Sequence, residues 1–476
     1  MKKSNSAPGD FPNFVELIIA AMIGLCVITM SAYSSTNIDR PNIIFVTADQ
    51  MRAQAQGYMG NQDVITPNLD QLASQGIVFS NAISTFPVCT PARAMWLTGR
   101  YPTSTGVISN DIRLSAEETT IAEILKDNGY KTGYIGKWHL DGPERQGFTP
   151  PGPRRQGFDF WAAVNICHRY FKSFYYLDKP EKIYIDGFQP DHETDLAIKF
   201  LEDHKNDRFF LNLHWSTPHD PYQAPEEFLS MYDPEKIELR ENVIHCVPEN
   251  IHDATREQIT AYYAAITNLD WNMGRLLKAL DEFNLSENTI LIFTSDHGDM
   301  LYSLGLQFKQ WPYEESIRVP LIIRYPAKTK ASSVSDALIG TVDLMPTILS
   351  LCGVDIPANV EGLDFSGTIL GKIGPDPDAT LIMSVQPCGR NMDRTGVQPW
   401  RGVRTKRYTF VRFKNEDWCL FDNDKDPYQR RSMLTVDYNK PEVIKLRNNL
   451  NDELQKLLKR IGDPFDALSF PKVRWK

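Results

Sequence analysis

The chain reads as an α/β protein: a large, mostly parallel sheet flanked by helices, followed by a smaller C-terminal subdomain of antiparallel sheet plus helix. Three observations predict this. Short apolar runs alternate with longer helical patterns, residues able to do chemistry stand just after several of the runs, and the character of the chain changes past Gly374-Pro375-Asp376-Pro377-Asp378.

The first run, Asn42-Ile43-Ile44-Phe45-Val46-Thr47-Ala48, reads as a buried strand ending at Asp49. Residues 132–136, 209–215, 289–295 and 320–324 are similar short runs, and residues 259–283 and 342–352 carry helical spacing. Strands alternating with helices imply a mostly parallel sheet covered on both faces. Ligands of such sheets gather beyond the carboxyl ends of the strands. Asp49, Lys137, residues 214–219 and Asp296 all follow apolar runs, so one cleft is expected to collect them. Beyond the break, residues 381–386, 403–413 and 418–421 are strand-like and 441–461 helical. The expected division is 40–375 for a catalytic domain and 376–476 for the subdomain.

The 476 residues are 42% apolar and 11% aromatic, which is the composition of a globular chain with an ample core. A net charge of −9 without a basic stripe argues against nucleic acid as a partner. The N-terminus runs Lys2, Lys3, an apolar stretch over 17–30, then Ser31-Ala32-Tyr33-Ser34-Ser35. That is the order of a secretory signal, and the stretch is short of the ~20 residues of a spanning helix. Residues 1–34 are therefore expected to be a signal peptide, with an uncleaved N-terminal anchor as the alternative and the only membrane contact. The expected location is exported, periplasmic or secreted. Seven scattered cysteines without C-x-x-C spacing make neither a disulfide framework nor a zinc site.

Cys89-Thr90-Pro91-Ala92-Arg93-Ala94-Met95-Trp96-Leu97-Thr98-Gly99-Arg100 is the most informative stretch. Pro91 suits the first turn of a helix. Residue 89 would then stand at a helix N-terminus, where free N–H groups favour an anion. Arg93, one turn on, projects on the same side and can hold an oxyanion there. The stretch resembles the sulfatase signature C-x-P-x-R-x-x-x-x-T-G. The resemblance implies the alkaline phosphatase-like fold of that family. It also implies conversion of Cys89 to formylglycine (3-oxoalanine) by a formylglycine-generating maturation enzyme.

Further segments extend the resemblance. Asp49-Gln50 and Asp296-His297-Gly298 stand where the family places its metal ligands, so Asp49, Gln50, Asp296 and His297 become ligands together with residue 89. Calcium is the first expectation for the divalent metal, although Gln50 supplies a neutral oxygen where an anion is usual and His297 a nitrogen. Gly136-Lys137-Trp138-His139-Leu140 resembles the family's G-K-W-H-L segment, and alternation puts Lys137 and His139 on one face with Trp138 opposite. Pro218-His219-Asp220-Pro221-Tyr222 and Gln307-Phe308-Lys309 resemble two more family segments. Arg93, Lys137 and Lys309 would offset sulfate charge; His219 and Lys309 would protonate the departing alcohol; His139 would act as base in the release of sulfate. Each residue alone has an ordinary reading, an aspartate as a turn former or a lysine as a solvated cation.

The substrate side is less specific. Among residues 168–170, Trp215, Arg390, Trp400 and Arg401, His168 and Arg390 are expected to touch substrate. The basic stretch 401–414 reads equally as a charged edge strand or as a rail for an anionic sugar. The function expected is hydrolysis of sulfate esters of a sulfated saccharide. The alternatives are a phosphonate or phosphate monoester hydrolase of the same superfamily, or a non-catalytic binder of sulfated glycans in which Cys89 stays a thiol.

Overall fold

The computed structural model describes residues 40–389 and 397–466. Its strands in chain order are β1 (Asn42–Asp49), β2 (Ile77–Ile83), β3 (Lys131–Lys137), β4 (Phe160–Val164), the small ribbon β5 (Phe174–Tyr175) and β6 (Ile183–Tyr184), β7 (Phe209–Pro218), β8 (Thr289–Ser295), β9 (Leu321–Arg324), β10 (Ser333–Gly340), β11 (Ala379–Ser384), β12 (Trp400–Thr405), β13 (Tyr408–Phe413) and β14 (Asp417–Asp422). Eight of them form one sheet in the order β10-β2-β9-β8-β1-β7-β3-β4.

β1 lies at the centre, parallel to both β7 and β8, and β3 is parallel to β7 and β4. The period of two is visible along β1. Ile43 and Phe45 enter the core that holds Trp96, Leu125 and Ile348; Ile44, Val46 and Ala48 enter the opposite core with Leu69, Ile259 and Leu276. The first core is covered by the helices Cys89–Thr98, Ile121–Asp127 and Leu344–Leu351, the second by Pro67–Gln75, Gln189–Asp203 and the 31-residue helix His252–Glu282. Burial on both faces explains why the central strands read as continuous apolar runs.

The sheet departs from the sequence reading at one side. β9, the run at 320–324, is antiparallel to β8 and β2, because the long connection from β8 folds back on itself instead of crossing over. β2 and β10, which carry no continuous apolar run, complete that side as a parallel pair. The run at 403–413 is two strands, β12 and β13, turned at Lys406 and Arg407.

The small antiparallel sheet has the order β11-β12-β13-β14, and the helix Pro441–Arg460 packs on it through Val443, Leu450, Leu454 and Leu457. β12 and β13 are thus interior strands, so the basic stretch is neither an edge nor a rail. Its arginines are held in ion pairs: Arg401 with Asp463, Arg404 with Glu314, Arg407 with Asp422. Trp215, Trp400 and Arg401 are buried in the interior, which removes them from the substrate side. Both sheets belong to one compact unit from Pro41 onward. Among the described residues, no helix is long and apolar enough to cross a membrane. The expected signal peptide over 1–34 and Arg390 lie outside the described residues.

Candidate active site

The carboxyl ends of β1, β3, β7 and β8 converge, and each delivers a polar residue directly after an apolar run. Asp49 closes β1, Lys137 closes β3, and Asp296 and His297 follow β8. The nucleophile candidate arrives from a helix. Cys89 is the first residue of Cys89–Thr98, a helix whose ten residues are all buried. Asn110 Oδ1 accepts from the Thr90 backbone N–H at 3.0 Å and satisfies one free donor of that terminus.

Asp49, Cys89, Asp296 and His297 form one cluster: one ligand atom from each lies within 4.8 Å of all the others, and all four residues are buried. Sγ of Cys89 is 3.2 Å from His297 Nε2 and 3.9 Å from Asp49 Oδ1. His297 donates from Nδ1 to the Gly298 carbonyl at 3.0 Å, which leaves the Nε2 lone pair facing the cluster. Oxygen–metal distances of about 2.3–2.6 Å put opposite ligands of calcium roughly 4.6–5.2 Å apart, so the cluster has the dimensions of such a site. These residues fit a divalent cation. Gln50 is held otherwise. Its Nε2 donates to Asp299 Oδ2 at 2.6 Å, and its Oε1 accepts from Lys309 Nζ at 2.6 Å. The left-handed backbone of Gln50 (φ 68°) lets its N–H reach Asp296 Oδ1 at 3.0 Å.

Two buried cations back the carboxylates. Arg93 Nη2 contacts Asp49 Oδ2 at 3.0 Å and Asp296 Oδ2 at 3.3 Å, and Lys137 Nζ donates to Asp49 Oδ2 at 2.5 Å. Burial pushes the Asp49 carboxyl upward, but Lys137, His219 and Arg93 outweigh it and hold the group well below the usual range. Burial and the neighbouring Asp49 push Asp296 up. For the Cys89 thiol, burial is outweighed by Lys137, Lys309 and His297, which favour the thiolate. Arg93 Nη1 meets His214 Nδ1 at 3.0 Å. Arginine has no acceptor, so His214 accepts there, and its Nε2 is left to donate to Asn212 Oδ1 at 3.3 Å. Burial and then Arg93 push His214 well below its ordinary range, which keeps it neutral.

On the open side, a cleft of 160 Å³ is lined by Cys89, Lys137, His139, His168, His219 and Lys309, with Asn110, Arg145, Phe308 and Cys388 around them. Lys137 and His139 face it together, and Trp138 packs into the core against Tyr134 and Trp161, as alternation predicts. Lys309 Nζ lies 2.5 Å from His219 Nε2, and His219 Nδ1 donates to the Asp220 carbonyl at 2.7 Å. Burial opposes charge on Lys309, but Cys89, Asp49 and Asp220 raise it above its ordinary value. The ring of His168 lies 4.2 Å from that of His219, and burial followed by His219 pushes it well below the usual histidine range.

All the expected residues that are described therefore meet at one place. Asp111, Arg145 and His214 had no assigned part. His214 stands at the end of the β7 run, the position where chemistry was expected. Asp111 and Arg145 lie in loops, where neither periodicity nor a motif marks them.

The sulfatase family profile matches residues 41–354, and the profile for the C-terminal part of N-sulphoglucosamine sulphohydrolase matches residues 303–460. The chain belongs to the sulfatase family. This sulfatase is 41% identical over 441 residues to an ulvan-active sulfatase of Formosa agariphila, covering 90% of this chain and 83% of that one. It is 29% identical over 488 residues to an endo-4-O-sulfatase of Bacteroides thetaiotaomicron, covering 90% and 93%. A solved structure of an enzyme in complex with its substrate D-glucosamine-2-N,6-O-disulfate superposes with a TM-score of 0.81 at 25% identity, covering 90% of this sulfatase and 100% of that chain. The protein is a sulfuric ester hydrolase, and the alternative of a phosphonate or phosphate hydrolase is not favoured.

Proposed function

We propose that this sulfatase hydrolyses a sulfate ester of a sulfated carbohydrate, using formylglycine made from Cys89 by a maturation enzyme and a divalent cation, calcium in the first place. The observation that carries the reading is the pairing of the buried Asp49–Cys89–Asp296–His297 cluster with a cleft edged by Lys137, His139, His219 and Lys309. The relatives that act on ulvan and on glucosamine sulfates support a sugar as substrate. Asp49, Asp296, His297 and residue 89 would hold the cation; Gln50, whose Oε1 accepts from Lys309, is kept as a further ligand on the family resemblance alone. Bound there, the cation would polarise sulfate oxygens and the nucleophile.

Once formed, the hydrated aldehyde of residue 89 would supply one hydroxyl to attack sulfur as the ester S–O bond breaks and the alcohol departs, and a second whose loss of a proton would re-form the carbonyl and break the C–O bond to sulfate. The chain's own residues do the rest. Arg93, Lys137 and Lys309 offset the charge that a sulfate brings into a buried site. Lys309 donates at Nζ, and His219 accepts from it at Nε2. This pair therefore holds a proton where an alcohol departs. His139, which also lines the cleft, would take the proton of the second hydroxyl. His168 and Arg390 are proposed to touch the sugar. The leader over 1–34 supports export to the periplasm or beyond, cleaved or retained as an anchor.

Peptide mapping at Cys89 tests the reading. The residue should carry the mass of the aldehyde after expression with a maturation enzyme, and such protein should hydrolyse sulfate esters. A retained thiol in protein without sulfatase activity points to a glycan binder and overturns the proposal.

A further inference from the structure

His139 is buried at 2% exposure and held in a left-handed conformation (φ 56°). For a residue with a Cβ this conformation costs about 1 kcal/mol or more, and it persists where surroundings impose it. Its backbone N–H is tied to the Asn165 carbonyl at 2.9 Å. Its ring has two unlike nitrogens. Nε2 lies 3.1 Å from Asp111 Oδ1, whereas Nδ1 is buried with no hydrogen-bond partner in the protein. The ring lines the same cleft as Cys89. Asp111 is itself in the left-handed region (φ 63°) and is gripped by Arg145, from Nη2 to Oδ2 at 2.7 Å and from Nε to both oxygens at 3.2 Å.

A carboxylate only accepts. We propose that Asp111 is a positioning residue: by accepting from His139 Nε2–H it fixes that tautomer and turns the Nδ1 lone pair toward residue 89. Arg145 in turn keeps Asp111 ionised and aimed. The inference rests on the proposed role of His139 as the base and adds what selects its basic nitrogen. Sequence spacing does not show this pairing, since Asp111 and His139 lie in different loops.

The substitution Asp111→Asn is informative because Arg145 has no acceptor. The amide must turn its oxygen to Arg145 and its NH₂ to His139, which forces Nε2 to accept and moves the proton to Nδ1. The tautomer is read from long-range proton–nitrogen spectra of protein labelled with ¹⁵N-histidine, with the His139 signals assigned by their absence in His139→Gln. The wild type should show Nε2–H and a bare Nδ1, and Asp111→Asn the reverse. In matured enzyme, kcat on a sulfate ester should fall about 100-fold or more in Asp111→Asn while KM stays within about twofold. Arg145→Gln should keep the wild-type tautomer and lose less.

Nδ1–H in the wild type overturns the proposal from its spectrum alone, whether or not the variants fold. So does a reversed tautomer in Asp111→Asn with undiminished kcat. A wild type that hydrolyses no sulfate ester is instead a failure of the functional reading, and the spectra then still decide which nitrogen Asp111 holds.

Discussion

Glu193 offers a test of the electrostatics behind Arg93. It sits on the helix Gln189–Asp203, 4% exposed, with Oε1 accepting from Gln189 Nε2 at 2.6 Å and Oε2 unpartnered. Burial pushes its carboxyl from 4.5 to about 8, against the opposing pull of Gln189 and Arg93. The folded protein therefore keeps a proton that the unfolded chain releases near 4.5. Between those values the native state binds more protons than the unfolded one, so stability is present at low pH, falls as pH rises to about 8, and is flat beyond. Glu193→Gln preserves shape and removes the titration. At about 1.4 kcal/mol per pH unit, the variant should exceed the wild type by less than about 1 kcal/mol at pH 5, about 3 at pH 7 and about 5 at pH 9. For a folded unit of this size, 3 kcal/mol corresponds to a rise in Tm of roughly 3–4 °C. Thermal melts of both proteins at the three pH values measure the gap. A gap that stays constant across them refutes the burial argument.

Three further outcomes are expected. Asp296→Asn keeps an oxygen for the Gln50 and His297 backbone N–H groups but removes a charge from the cluster; bound divalent metal, measured by elemental analysis, should fall together with activity while the fold persists. Full occupancy would mean that the site lies elsewhere. His219→Ala should lower hydrolysis of a sugar sulfate by about 100-fold or more, but of an activated aryl sulfate much less, because a good leaving group needs little protonation; equal losses would remove His219 from that role. Gly136→Ala should destabilise by more than about 3 kcal/mol or abolish soluble expression, since its Cβ would stand 2.1 Å from the His214 carbonyl at a φ of 100°. A melt unchanged from wild type would contradict the tight β3–β7 approach.

The parts of the fold legible in sequence were those whose physics is local. β1, β3, β7 and β8 are buried on both faces over most of their length, so their residues form mostly apolar runs, and the polar residue after each run marks the strand end that the site uses. The edge strand β10 reads Ser-Val-Ser-Asp before it turns apolar, because its first half is partly exposed, and it passes for loop. The reversed direction of β9 depends on how residues 296–320 fold back, which no pattern within 320–324 records. The same holds in the site. Cys89 and Arg93 are placed by helix geometry and could be read directly. The arginines of the 401–414 stretch could be read equally as a charged edge or a rail because their partners, Asp463, Glu314 and Asp422, are distant in sequence or in another element. Asp111 was invisible for the same reason: its meaning comes from a histidine 28 residues away.

The helix Cys89–Thr98 has no solvent face, and Cys89 itself is 1% exposed. On the proposed function, another enzyme has to grasp this segment and oxidise its first residue. In the folded protein there is nothing to grasp, since Arg93 is locked onto Asp49, Asp296, the Lys137 carbonyl and His214. The conversion therefore belongs to the interval before the sheet closes over the helix, and it runs in a race with folding. A substitution that hastens closure, however far from the cleft, should leave more chains with an unconverted thiol. The fraction of competent enzyme in a preparation is then set by timing during biosynthesis, and two preparations identical in stability and structure can differ in activity.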